Sequence, residues 1–177
     1  MDIPEPPIAG DEAAAIVGAI DRQRGLFAWK CGGLDADGLR ATLAPSTMTL
    51  GGLLKHVALV EDTHFARLWL NEPPPAPWAD VDWDADPDWE WSSAAEDSPA
   101  ELMQQWERSC DRSRTIVAAA LANGGLDQLG AYRNKSGEAP NLRRILFDLL
   151  EEYARHLGHA DLIRESVDGL TGEGPDD

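Results

Sequence analysis

The 177-residue chain carries 32 acidic against 15 basic side chains, a formal net charge of −17. That balance excludes nucleic acid as a partner, because phosphate recognition needs clustered Lys and Arg, and it disfavours anionic membrane surfaces. A 43% hydrophobic fraction is that of an ordinary globular protein, the length predicts one domain rather than two, and no apolar run approaches the twenty residues of a membrane span.

The N-terminal MDIPEPPIAGDE is acidic and Pro-rich, with neither a basic head nor an apolar segment, so it does not read as a secretory signal. A cytoplasmic setting is the expectation. Cys31 and Cys110 belong to no CxxC or Cys/His cluster, so no thiolate metal site is legible. Both are expected to be reduced and buried.

The first predicted helix runs from about Asp11, a suitable N-cap, to Lys30, with Ile16, Val17, Ile20, Arg24 and Phe27 on one stripe. Cys31-Gly32-Gly33 ends it. The second opens after Pro45-Ser46-Thr47 and continues to about Leu70, where Pro73-Pro74-Pro75 forbids continuation. The segment 78–91, WADVDWDADPDWEW, alternates four tryptophans with acids. Pro87 and the density of Asp argue against a strand, leaving an ordered loop that lays tryptophans over the bundle. Trp83 is a candidate pocket wall. Ser98-Pro99-Ala100-Glu101 is a capping box with Pro at the first helical position, starting a third helix that reaches about Ala122 before Asn123-Gly124-Gly125. The fourth starts near Pro140 and stops at Asp168-Gly169. Four long helices joined by loops predict an all-α four-helix bundle.

The last helix contains EEYARHLGHADLIRE, residues 151–165. With Asp148 at zero on a helical wheel, Glu152 falls near ~40°, His156 near ~80° and His159 near ~20°. The apolar set Ile145, Leu149, Tyr153, Leu157, Ala160 and Ile163 occupies roughly 60° to 180°. Glu152 and His156 therefore stand on the rim of the buried stripe, one turn apart, where both can aim at one ion. A third ligand must come from a facing helix, and His56 in GGLLKHVALVE is the natural candidate. The adjacent Gly51-Gly52 pair costs helix stability, which suggests close packing there. His64 lies about 12 Å further along the axis, among Leu53, Val57, Val60 and Leu68. It reads as a packed core histidine. His159 could replace Glu152 as ligand, line the mouth of the site or cap polar groups, and spacing leaves these alternatives open.

TLGGLLKHVALVE and LRRILFDLLEEYARHLGHADLIRESVDG together resemble the DinB-like four-helix-bundle superfamily, and most of all an actinobacterial branch of it. Related branches include bacillithiol transferases and the mycothiol-dependent maleylpyruvate isomerase. The resemblance covers the chain from the first helix to Gly172. It implies one DinB-like domain over 1–177, with short disordered tails at about 1–10 and 172–177. It also implies a divalent metal on His56, Glu152 and His156, matching the His, Glu, His set of the mycothiol-dependent isomerase. Asp148 stands where close relatives often carry a histidine, which puts the activity in question while leaving the ligand set intact.

Two imidazoles and a carboxylate leave open positions on an ion, as in catalytic rather than structural sites. Zn2+ suits the donors best, with Ni2+, Fe2+ or Mn2+ compatible. The expected function is a thiol-dependent S-transferase or detoxification enzyme, with a low-molecular-weight thiol, mycothiol, and a small electrophile as partners. The alternative is a non-enzymatic metal-binding or stress-response bundle. Candidates for the outer shell are Asp148, His159 and Asp161. Arg155 and Arg164 could bind a carboxylate substrate if turned inward, but salt bridges to Glu151 and Glu165 are the simpler expectation. The superfamily also implies a homodimer.

Overall fold

Asp11 accepts a hydrogen bond from the Ala14 amide and starts α1, Glu12–Cys31. Its inward stripe is the expected one, with Ile16, Ile20, Arg24 and Phe27 all buried. After a short α2, Ala36–Arg40, Thr49 caps α3, Leu50–Asp62. The backbone then widens into a seven-residue π-helix, Thr63–Trp69, in which the Leu70 amide reaches back to the Phe65 carbonyl. A further short helix, α4, Trp89–Ser92, lies in the tryptophan loop. The capping box at Ser98 and Glu101 forms as read and opens α5, Pro99–Asn123. Asn141 caps α6, Leu142–Asp168, and Gly169 ends it at φ 79°, a left-handed conformation that glycine adopts without penalty.

This computed structural model describes residues 3–174, and among them the fold is all-α, without a strand. The anticipated tails at 1–10 and 172–177 extend outside the described residues at both ends. Within them, Glu5 and Glu173 both pair with Arg22 of α1.

The long helices pack in pairs, α1 on α6 and α3 on α5, with α3 also meeting α6. Leu50, Leu53, Leu54 and Val57 of α3, and Leu142, Ile145, Leu149 and Tyr153 of α6, fill the core between them. Apolar burial supplies the driving force, while two adjacent carboxylates on α3 fix the relative placement. Glu61 is fully buried and takes a bidentate contact from Arg24 of α1, 2.8 and 2.9 Å, and a 2.8 Å hydrogen bond from the Tyr153 hydroxyl of α6. Tyr153 in turn accepts from the Trp106 indole of α5 at 2.8 Å. Asp62 accepts from the Trp78 indole and the Ser109 hydroxyl, each at 2.8 Å, and from Arg112. Burial works against the Arg24 charge, and Glu61 outweighs it, holding the guanidinium protonated.

Both cysteines are free and buried, as read. Burial pushes each thiol far up, with Glu61 adding to the effect at Cys110. The tryptophan loop does cover the bundle. Trp78 is buried, Trp83 and Trp89 meet edge to face at 6.4 Å, and Lys55 sits 4.2 Å over the Trp89 ring.

Replacing Glu61 by Ala strands a buried guanidinium and is expected to cost about 3–5 kcal/mol in urea unfolding. Native protein at pH 8 should consume no equivalent of a thiol-titrating disulfide reagent, and two per chain once denatured, because neither thiol ionises in place.

Candidate metal centre

Glu152 and His156 are placed by their neighbour Tyr153. Its hydroxyl is anchored on Glu61, which fixes the azimuth of α6 and turns the adjacent rim toward α3. His56 faces that rim from the middle of α3. One ligand atom from each of His56, Glu152 and His156 lies within 4.8 Å of the others. The His156 Nε2 is 3.3 Å, and the His56 Nε2 3.9 Å, from the same carboxylate oxygen of Glu152. The His156 side chain is 9% exposed, His56 20% and Glu152 29%, so the group opens to solvent along one side.

The second ring nitrogens are held from behind. His56 Nδ1 is 3.2 Å from Glu90 Oε1, and His156 Nδ1 is 3.3 Å from His159 Nδ1. With Nδ1–H donating outward, each Nε2 keeps its lone pair for the centre, the arrangement that tunes histidine ligands in metal proteins. Burial depresses the His156 pKa from 6.5 to about 4, His56 and His159 add to this, and Glu152 opposes it. The imidazole is therefore neutral at pH 7, its ligating form. Glu90 is itself buried, and its Oε2 has no hydrogen-bond partner. Two imidazoles, an accessible carboxylate and a carboxylate behind one histidine form a donor set that fits a divalent ion.

Trp91 completes the wall, stacked on His56 with ring centroids 4.7 Å apart and planes 24° from parallel. This explains the glycine pair. A Cβ on Gly52 would stand 2.8 Å from the Trp91 ring, and one on Gly51 would press on Leu102 and the Leu39 carbonyl at 3.2 Å. Trp91 is one of the loop tryptophans expected to cover the bundle, but its place on His56, and Glu90 altogether, were not legible in the sequence, because only the fold returns α4 to α3.

The remaining candidates have other places. Asp148 pairs with Arg144 one turn earlier, and burial raises its pKa against that cation. His64 is half-buried and bonded to the Val60 carbonyl at 2.7 Å, so it is a rim residue rather than a core histidine. The π-helix turns the end of the expected apolar stripe outward. Asp161 serves Lys30 of α1 at 3.0 Å, not the histidines. Arg155 lies in solvent 3.8 Å from Glu151, as expected. Arg164 departs from its expected pairing with Glu165. It is buried, bound to Asp168 and to the Lys30 and Gly32 carbonyls at the end of α1, with no donor directed at a substrate. Trp83 lines a cleft with Leu59 and Thr63, and its ring partner is Trp89.

Two outcomes follow for the metal-free protein. Between pH 6.5 and about 4 the unfolded chain binds the His156 proton and the folded chain does not. Stability should therefore fall as pH falls through that window, and less steeply in His156→Gln, as read by urea unfolding at several pH values. Gly52→Ala should displace Trp91 from His56, seen as a changed tryptophan emission maximum.

A family model described as Mycothiol-S-transferase matches residues 15–169. No curated protein matches the chain.

Proposed function

Since the chain belongs to the mycothiol S-transferase family, matched over residues 15–169, we propose that it is a metal-dependent transferase that joins mycothiol to a small electrophile. The observation that carries this reading is the convergence of His56, Glu152 and His156 on one partly open point. These three residues would hold the ion, with Zn2+ the best match to the donors and Ni2+, Fe2+ or Mn2+ compatible with them. A divalent ion there supplies the acidity that turns a thiol, ordinarily of pKa near ~8.5, into a thiolate at neutral pH.

The rest of the work falls to the chain. Glu90 and His159 orient the two imidazoles. Trp91 presses on His56 and keeps water from that side. The acceptor's carbon gains a bond to sulfur, the leaving group departs with its bonding pair, and the thiol proton passes to solvent along the exposed Glu152 side. Cys31 and Cys110 take no part, because both are buried and held as thiols. Their free state supports a reducing, cytoplasmic setting. No described helix is long and apolar enough to cross a membrane. A homodimer belongs to the proposal as well, supported by Phe147 and Leu162 exposed on α6 and read by sedimentation.

Metal analysis of freshly purified protein should give one ion per chain. His56→Ala and His156→Ala should each abolish it, whereas His64→Ala should retain it. The loaded protein should bind mycothiol and transfer it to an electrophile above the uncatalysed rate. One ion per chain with neither binding nor turnover would overturn the transferase reading in favour of a non-enzymatic metal-binding bundle.

A further inference from the structure

A second cleft begins one turn along α3 from His56. Leu59 and Thr63 line it, at about 4.5 and 10 Å along the axis from His56. Arg67, Asn71 and Trp83 line it too, together with Glu72 and the Pro73-Pro74 turn, around a cavity of about 540 Å³. That is room for a small-molecule ligand.

Arg67 is unusual in so acidic a chain. Its other arginines are largely engaged by the protein's own acids and carbonyls, Arg24 by Glu61, Arg112 by Asp62 and Arg164 by Asp168. The Arg67 guanidinium makes no ion pair or hydrogen bond among the described residues, and its carbon sits 6.0 Å over the Tyr132 ring. Such a contact orients the guanidinium plane without neutralising it. Glu72 lines the same cavity but forms no ion pair with Arg67 or any other described residue. The Thr63 hydroxyl and the Asn71 side-chain amide are likewise without partners among the described residues. All three side chains are displayed by the π-helix and its exit, Thr63–Trp69 followed by Asn71 at φ 57°. π segments are rare and concentrate at functional sites, and a left-handed non-glycine residue carries strain.

The geometry points to a carboxylate-binding subsite: the electrophilic co-substrate is a small carboxylate held by Arg67, with Thr63 and Asn71 donating hydrogen bonds and Trp83 as the wall. A guanidinium matches two carboxylate oxygens in one plane. The carboxylate is thereby anchored beside the π-helix, in a cleft whose lining continues along α3 to Leu59. This inference rests on the transferase reading for its reaction, but not for its binding site.

The test has a binding arm and a turnover arm, both on the full-length, metal-loaded protein. Calorimetric titration should show saturable binding of succinate and none of the neutral succinamide. Arg67→Gln should weaken succinate roughly tenfold or more, with metal content unchanged. No succinate binding, binding indifferent to Arg67→Gln, or inorganic phosphate bound in preference to succinate would overturn the assignment.

In the turnover arm, mycothiol is alkylated with iodoacetate or with the neutral iodoacetamide. Sulfur bonds to the methylene carbon, iodide leaves with the C–I pair, and the thiol proton goes to solvent. Arg67→Gln should raise KM for iodoacetate roughly tenfold while leaving kcat and the iodoacetamide KM unchanged. Arg67-dependent succinate binding without any transfer would sink the transferase reading and leave the subsite standing. Transfer that Arg67→Gln alters for neither acceptor would sink the subsite and leave the transferase reading standing.

Discussion

Glu61 is the constraint on which the rest of the bundle depends. A carboxylate with no exposed surface is tolerable only when its charge and lone pairs are matched. Here the matching groups come from Arg24 on α1 and Tyr153 on α6, with Trp106 on α5 closing the chain through Tyr153. Apolar packing alone would let four helices slide and rotate with small penalties. A bidentate ion pair and a chain of 2.8 Å hydrogen bonds admit one register. Because Tyr153 follows Glu152 directly, that register also decides where Glu152 and His156 face. The interior network and the candidate metal centre are two sides of the same turn of α6.

The parts of this arrangement that were legible in the sequence are those written locally. Ser98 with Glu101 specifies a helix start, Gly169 a helix stop, and Glu152 with His156 a shared rim, because each depends on residues within a turn of one another. His56 was legible through its position in a helix that had to face another, with the family resemblance adding the partner. What stayed hidden depends on pairs far apart in the chain. Asp161 was read beside its own helix neighbours, yet its partner Lys30 lies on α1. Arg164 was given a surface role, yet it satisfies two carbonyls that α1 leaves unpaired at its C-terminal end. His64 looked like a core residue because a period of 3.6 was continued through a segment that becomes a π-helix. No local pattern announces that change of period.

The tryptophan loop shows how composition can be read correctly and its purpose missed. Four indoles among aspartates indicated a segment that needs a surface to lie on, and it lies on α3. The alternation places one indole at the histidine and a carboxylate beside it, so Trp91 covers the face of the imidazole and Glu90 meets its Nδ1 edge. The loop can approach so closely only because Gly52 has no Cβ. The helix-weakening glycine pair is thus the counterpart of the WEW sequence forty residues later.

Electrostatics arranges the two faces of α3 differently. At its C-terminal end, Glu61 pairs with the buried Arg24 and Asp62 with the partly exposed Arg112, so the protein's own carboxylates match both charges. Along the outer face, the path from His56 to Arg67 carries donors and a cation that the protein does not itself satisfy. In a chain with a net charge of −17, acids are abundant enough to neutralise any arginine placed among them. An arginine held by a ring rather than by a carboxylate keeps its charge available to a ligand. The π-helix is what separates the two regimes. It follows Asp62 directly, keeping Phe65, Ala66 and Trp69 in the core while Thr63 and Arg67 line the cavity.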